Sequence, residues 1–204
     1  MISIKNINIS FNNIEILENS NLQIYYNEIT TIYGESGSGK TTLLNILSLE
    51  LDTDSSFVFD DIDVNLLSKE EKKQFRRDNI MYFHQDDMMI RNYTLKENAK
   101  LIIESKNQIF DLQKLLNYMD KVELDRKKVN KPLSTLSNGE RQRFLFIWTL
   151  LVEAKLYIYD EPISALDENK AKQVITLLQE FVSEEKMIVI TIHNRSLIED
   201  AHCY

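Results

Sequence analysis

Glycine is nearly absent from this chain of 204 residues. It has four, where average usage near 7% predicts roughly fourteen. All four fall in two short segments, Gly34, Gly37 and Gly39 in GESGSGKTT and Gly139 in LSNGE. Backbone that must take positive φ, or come close to an anion through its amides, needs glycine, so this distribution points to phosphate binding. Proline is rarer still: Pro132 and Pro162 flank motif segments and leave no proline-rich linker. The single cysteine, Cys203, excludes an internal disulfide and fits a reducing cytoplasm. No apolar run approaches a bilayer span, because the longest, Phe144 to Val152, is broken by Thr149. With no basic stretch ahead of an apolar one at the N-terminus, a soluble, unexported protein is expected. Positive charge is scarce as well. The 24 Lys and Arg against 32 Asp and Glu leave −8, and the basic residues are scattered, so no nucleic acid is expected as a partner.

What the chain does have is an alternation of short β-type runs and helical stretches, which predicts an α/β fold around a mainly parallel sheet. The β-type runs are Ile2 to Ser10, Leu22 to Tyr26, Ile29 to Tyr33, Phe57 to Phe59, Ile80 to Phe83, Leu156 to Tyr159 and Met187 to Ile192. The first three are expected to pair as an antiparallel start. Apolar residues spaced i, i+3, i+4, i+7 predict helices with core-facing stripes at Leu112, Leu115, Leu116 and Met119, at Phe144, Ile147, Trp148 and Leu151, and at Val174, Leu177, Leu178 and Phe181. From Gln85 to about Lys131 the pattern is helical, so a helical subdomain set into the α/β core is expected. Thr94-Leu95-Lys96-Glu97 has the spacing of a capping box near its start.

GESGSGKT, Gly34 to Thr41, follows the apolar run Ile29 to Tyr33 and precedes an apolar helix expected from about Thr41 to Leu49. That strand, loop and helix context is what a P-loop requires: loop amides wrap the β-phosphate, Lys40 reaches the β- and γ-phosphates, and Thr41 ligates Mg²⁺. LYIYDEP, Leu156 to Pro162, is an apolar strand ending in two acids. Beside a P-loop, Asp160 would hold Mg²⁺ and Glu161 would orient or deprotonate an attacking water. In LSNGERQ, Ser137 and Glu140 have capping-box spacing, and a helix N-terminus with a serine hydroxyl and a glycine amide also suits a γ-phosphate.

With these segments in this order, the chain resembles the ATP-binding cassette (ABC) ATPases over nearly its whole length. The resemblance implies a P-loop NTPase, RecA-like core with an N-terminal antiparallel β part in 1–84 and 153–204, and a helical subdomain carrying the signature in 85–152. Phe11 looks like the aromatic that stacks on adenine. Gly34, Glu35, Ser36, Gly37, Ser38, Gly39, Lys40, Thr41 and Thr42 resemble the Walker A loop and its helix start, so they are expected to bind ATP. Gln85 resembles the glutamine that ligates Mg²⁺ and senses a membrane partner. Ser137, Asn138, Gly139 and Glu140 are similar to the LSGGQ signature, with Asn138 and Glu140 departing from it. LYIYD resembles Walker B, Glu161 the catalytic glutamate, Ser164-Ala165-Leu166-Asp167 the D-loop, and His193 the switch histidine at the γ-phosphate.

The resemblance further implies that two cassettes pack head to tail, each ATP lying between the P-loop of one and LSNGE of the other, as a homodimer or a heterodimer. Lys40, His193, Gln85 and Glu161 are then the catalytic set, with Thr41, Gln85 and Asp160 around Mg²⁺. Met88, Met89, Ile90 and Tyr93 form an apolar cluster where the family receives a helix from a transmembrane permease subunit. The protein is thus expected in the cytoplasm, peripheral on the inner face of the cell membrane through that subunit. Leu67 to Arg77 looks like cassettes that export peptides, lipoproteins or antibiotics, including bacteriocins. The chain ends at Tyr204, soon after His193, and no C-terminal regulatory domain is expected. A soluble ABC ATPase acting on nucleic acid or the ribosome, and a regulatory cassette with little hydrolysis, are the alternatives; one cassette without a heptad run disfavours the first, and Glu161 with His193 the second.

Overall fold

Two four-stranded sheets organise the molecule, a computed structural model that describes residues 1–11, 14–83, 89–163, 168–182 and 185–192. Strands β1 (Ile2–Phe11), β2 (Ile14–Ile24), β4 (Ser56–Phe59) and β5 (Ile62–Asp63) form an antiparallel sheet in the order β2-β1-β4-β5. Strands β3 (Glu28–Tyr33), β6 (Ile80–Phe83), β7 (Leu156–Tyr159) and β8 (Met187–Ile192) form a parallel sheet in the order β3-β8-β7-β6. Among the described residues six α-helices accompany them: α1 (Lys40–Leu47), α2 (Lys69–Asn79), α3 (Leu95–Ser105), α4 (Leu112–Lys121), α5 (Asn138–Leu151) and α6 (Glu168–Val182). Among the described residues no helix is long and apolar enough to cross a membrane.

The parallel sheet divides two apolar cores. Side chains alternate faces along a strand, and strands buried on both faces are the mark of a parallel sheet. Met81, Phe83, Tyr157, Tyr159, Ile188 and Ile190 enter the core built with α3, α4, α5 and α6. Their neighbours Ile80, Tyr82, Leu156, Ile158, Met187 and Val189 enter the core shared with α1 and the antiparallel sheet.

Two expectations change. β3 does not join the antiparallel start but pairs in parallel with β8, from Glu28 opposite Met187 to Tyr33 opposite Ile192. Its four consecutive buried residues, Ile29 to Ile32, are the reason, since an antiparallel strand with one wet face would alternate. β2 covers Ile14–Ile24 rather than Leu22 to Tyr26. Its Glu, Asn and Ser residues hide the strand in the sequence, and register shifts in the β1–β2 pairing accommodate them. Asparagine side chains replace ladder bonds at these irregularities: Asn8 Oδ1 accepts from the Asn19 amide at 2.8 Å and Asn21 Oδ1 from the Asn6 amide at 3.1 Å.

The helical stripes face the core, with Leu115, Met119, Phe144, Ile147, Leu151, Val174, Leu177, Leu178 and Phe181 buried. Leu112 lies at the stripe's exposed edge, and the Trp148 side chain lies outside the described residues. α3 opens on the Thr94 capping box, both arms formed, at 3.1 and 2.7 Å. α1 ends at Leu47, before Leu49 turns to φ 60°.

Candidate active site

β3 delivers the chain to the loop at Gly34, and α1 carries it away from Lys40. Gly37 and Gly39 take φ of +82° and +84°, which side chains resist. At Gly39 a Cβ would also come within 2.9 Å of Ile16 Cγ2 on β2, so the antiparallel sheet presses on the loop. Gly39 is the N-cap of α1 and supplies no side-chain cap, which leaves the positive end of the helix facing the loop. Lys40 is buried, and its Nζ donates to the Gly34 carbonyl at 2.8 Å and the Glu35 carbonyl at 2.9 Å, curled over the loop. Glu35, Ser36 and Ser38 are exposed and Thr42 is half-buried.

The acids meet this loop from β7. Thr41 Oγ1 donates to Asp160 Oδ2 at 3.0 Å, joining residues 119 positions apart. The other carboxylate oxygen, Oδ1, accepts from Thr191 Oγ1 at 2.7 Å, and the same Thr191 oxygen accepts from the Glu161 amide at 2.8 Å. Glu161 adopts φ 50°, a left-handed conformation unusual outside glycine. Burial, then the negative charges of Asp160 and Glu50, push the Tyr82 phenol far above its ordinary range; it stays protonated and donates to Asn45 Oδ1 at 3.2 Å. The donors at the Thr41–Asp160 contact are hard oxygens beside a helix N-terminus, a set that fits Mg²⁺ and a polyphosphate.

Ser137 precedes α5 in a formed capping box, the Glu140 amide donating to Ser137 Oγ at 3.3 Å and the Ser137 amide to Glu140 Oε2 at 3.1 Å. Lys128 Nζ binds the other oxygen of Glu140, and Arg141 binds Asn138 Oδ1. Gly139 faces open space. Among the described residues the hydrogen bonds of this turn stay local and none reaches residues 34–41. Phe11 ends β1, paired with Ile14; its side chain, like Gln85, His193, Met88 and the segment 164–167, lies outside the described residues.

The family model described as ABC transporter matches residues 17–164. The chain belongs to that family. Relatives among known proteins include ATP-binding proteins of lipoprotein-releasing and macrolide export systems. The lipoprotein-releasing system ATP-binding protein LolD of Ehrlichia chaffeensis is 34% identical over 194 residues, covering 92% of this chain and 82% of the relative. The macrolide export ATP-binding/permease protein MacB of Campylobacter jejuni is 35% identical over 205 residues, but the chain spans only 32% of that longer protein. In three dimensions the cassette is similar to MJ0796, a bacterial ABC transporter cassette solved as a dimer, with a TM-score of 0.82, 29% identity and coverage of 97% of this chain and 90% of that one. The same neighbour is also known in a dimeric post-hydrolysis state bound to ADP and Pi. The present chain is an ABC ATPase cassette with the P-loop NTPase fold.

Among the described residues, three side chains that the motifs do not single out touch the cassette's site residues. Ile16 closes on Gly39, Lys128 neutralises Glu140, and Thr191 holds both acids. Thr191 alone carried a signal, as the one polar residue in the strand Met-Ile-Val-Ile-Thr-Ile.

Proposed function

We propose that this cassette hydrolyses Mg²⁺-ATP to power a separate transmembrane permease subunit in export, residing on the cytoplasmic face of the membrane through that subunit. The Thr41–Asp160 contact carries the reading: the Thr41 hydroxyl at the start of α1 and an Asp160 carboxylate oxygen lie 3.0 Å apart, a pairing that suits a metal ion beside a phosphate. Mg²⁺ would be held by Thr41, Asp160 and Gln85, and bound there it supplies charge neutralisation for the phosphates. Lys40, freed from the two loop carbonyls, pairs with the β- and γ-phosphates. Phe11 stacks on the base, Glu161 takes or orients the proton of the attacking water, and His193 meets the γ-phosphate.

The Ser137–Glu140 turn receives the γ-phosphate of a second cassette, homologous or identical, so nucleotide completes the dimer. Ser137 Oγ accepts from the Glu140 amide, which leaves its hydroxyl proton for that phosphate. Segments 1–84 and 153–204 form the ATP-binding lobe and 85–152 the helical lobe. The names of the relatives, lipoprotein release and macrolide export, support an export role.

The test is the Glu161→Gln chain with Mg²⁺-ATP. Turnover is expected to fall at least about 100-fold, and the protein to shift from monomer to dimer in light scattering, alone or beside a companion cassette. It should co-purify with a polytopic membrane protein from its own cells. A form that binds ATP, stays monomeric in every pairing and brings down no membrane subunit would refute the proposal.

A further inference from the structure

We propose that Thr191 is a positioning residue for hydrolysis, its hydroxyl fixing the side chain of Asp160 and the backbone of Glu161 at once. The inference rests on the roles given above to those two acids. β8 is buried along its whole length and is otherwise apolar. A hydroxyl there costs desolvation that a valine of the same shape would avoid, unless its hydrogen bonds are used. Thr191 is fully buried and uses both: it donates to Asp160 Oδ1 at 2.7 Å and accepts from the Glu161 amide at 2.8 Å.

Each bond has a distinct consequence. With Oδ1 engaged by Thr191 and Oδ2 by Thr41 at 3.0 Å, the Asp160 carboxylate is gripped from β8 and from α1 and cannot rotate between them. Oδ2 is thereby the oxygen turned to the phosphate loop. Glu161 meanwhile holds φ 50°, where a residue with a side chain is strained, and such a conformation persists only when its surroundings over-determine it. The Thr191 acceptor is one such determinant. It fixes the direction in which Glu161 leaves the strand end. Because β8 pairs both with β7, which carries the acids, and with β3, which leads into the phosphate loop, the hydroxyl sits on a strand that touches both halves of the site.

The experiment compares the full chain with Thr191→Val, which keeps the shape and removes the hydroxyl, and Thr191→Ser, which keeps the hydroxyl. Three quantities are read: the thermal midpoint without nucleotide, Mn²⁺ binding in the presence of ADP by electron paramagnetic resonance, and steady-state kcat and KM. Outer-sphere partners of metal-binding groups typically contribute about 10- to 100-fold. T191V is therefore expected to unfold cooperatively, to weaken Mn²⁺ binding about tenfold and to lower kcat by about 10- to 100-fold, with KM within about twofold, while T191S stays within about threefold of the parent on every readout. Unchanged metal binding and kcat in T191V would overturn the proposal, as would equal losses in T191V and T191S, which would mean methyl packing alone. Should T191V not fold, Thr191→Ala beside Thr191→Ser gives the same contrast, and equal values in that pair overturn it. A parent chain without turnover would instead count against the ATPase reading, and the Mn²⁺ measurement separates the two because it needs no hydrolysis.

Discussion

Glu140 places a negative charge in the turn that is proposed to receive a phosphate, and Lys128 answers it. One carboxylate oxygen caps the Ser137 amide and the other binds Lys128, whose ammonium, with the Ser137 amide second, holds the Glu140 carboxyl below its ordinary range. Uncompensated, that charge would oppose an approaching γ-phosphate. Lys128→Met is therefore expected to raise the ATP concentration needed for half-maximal dimer formation by about five- to tenfold, roughly 1 kcal/mol. The double variant Lys128→Met with Glu140→Gln should return to the parent value, because neutral glutamine needs no counter-ion. Losses that simply add in the double variant would count against the compensation. At this scale the sequence was uneven. Gly37, Gly39, Lys40 and Asp160 were legible because phosphate and metal chemistry dictates both residue type and spacing. Lys128 was not, because a lysine acquires meaning only from a partner that the fold brings to it, and Thr191 showed only as a polar residue in an apolar strand, its two partners being supplied by the fold.

Among the elements, the junction from α5 to β7 is held in part by a buried phenol. Tyr157 is fully buried at the second position of β7; its hydroxyl donates to the Val152 carbonyl at 2.6 Å and accepts from the Ala154 amide at 3.0 Å, while its ring meets Phe181 of α6 edge-on at 5.0 Å. Tyr157→Phe keeps the ring contact but strands two backbone groups. It is expected to cost about 1–3 kcal/mol in urea unfolding with little change in kcat, since the active end of β7 is untouched. A loss under about 0.5 kcal/mol would show that water or a backbone shift satisfies the turn. Elements with a strong pattern, α6 by its helical period and β8 by its apolar run, could be read directly from the chain. β2 could not, because bulges and asparagine bridges break its alternation. The placement of β3 was also hidden, as its partner β8 lies far along the chain and residue pattern alone carries no sheet order.

For the molecule as a whole, Asp60 ties the two sheets at the edge away from the phosphate loop. In the turn between β4 and β5, it accepts from the Met1 ammonium at 2.7 Å, from Lys155 ahead of β7 at 2.9 Å and from the Tyr26 hydroxyl ahead of β3 at 2.9 Å. Burial alone would raise this carboxyl, but those donors outweigh it and bring it down to about 2. In the unfolded chain an aspartate titrates near 3.9. A depressed folded value means that the stabilisation is complete above about pH 4 and is lost as pH falls towards about 2. With allowance for the solvent-exposed part of the pairs, Asp60→Asn is expected to cost about 1–2 kcal/mol at neutral pH, and the gap to the parent should narrow on acidification, followed by urea unfolding across that range. A gap independent of pH would assign the corner's stability to shape rather than charge.

The order β3-β8-β7-β6 has a consequence for how the protein comes into being. Among the described strands β3, which feeds the phosphate loop, has β8 as its sole ladder partner, and Glu28 must wait for Met187. During synthesis the nucleotide-binding segment therefore leaves the ribosome well before its partner and stays unpaired until the last described strand, β8, has emerged. Over that interval of about ten to thirty seconds, at typical elongation rates, an apolar edge is open to chaperones or to misassembly. Competence for ATP arrives late and all at once, with the insertion of a single central strand.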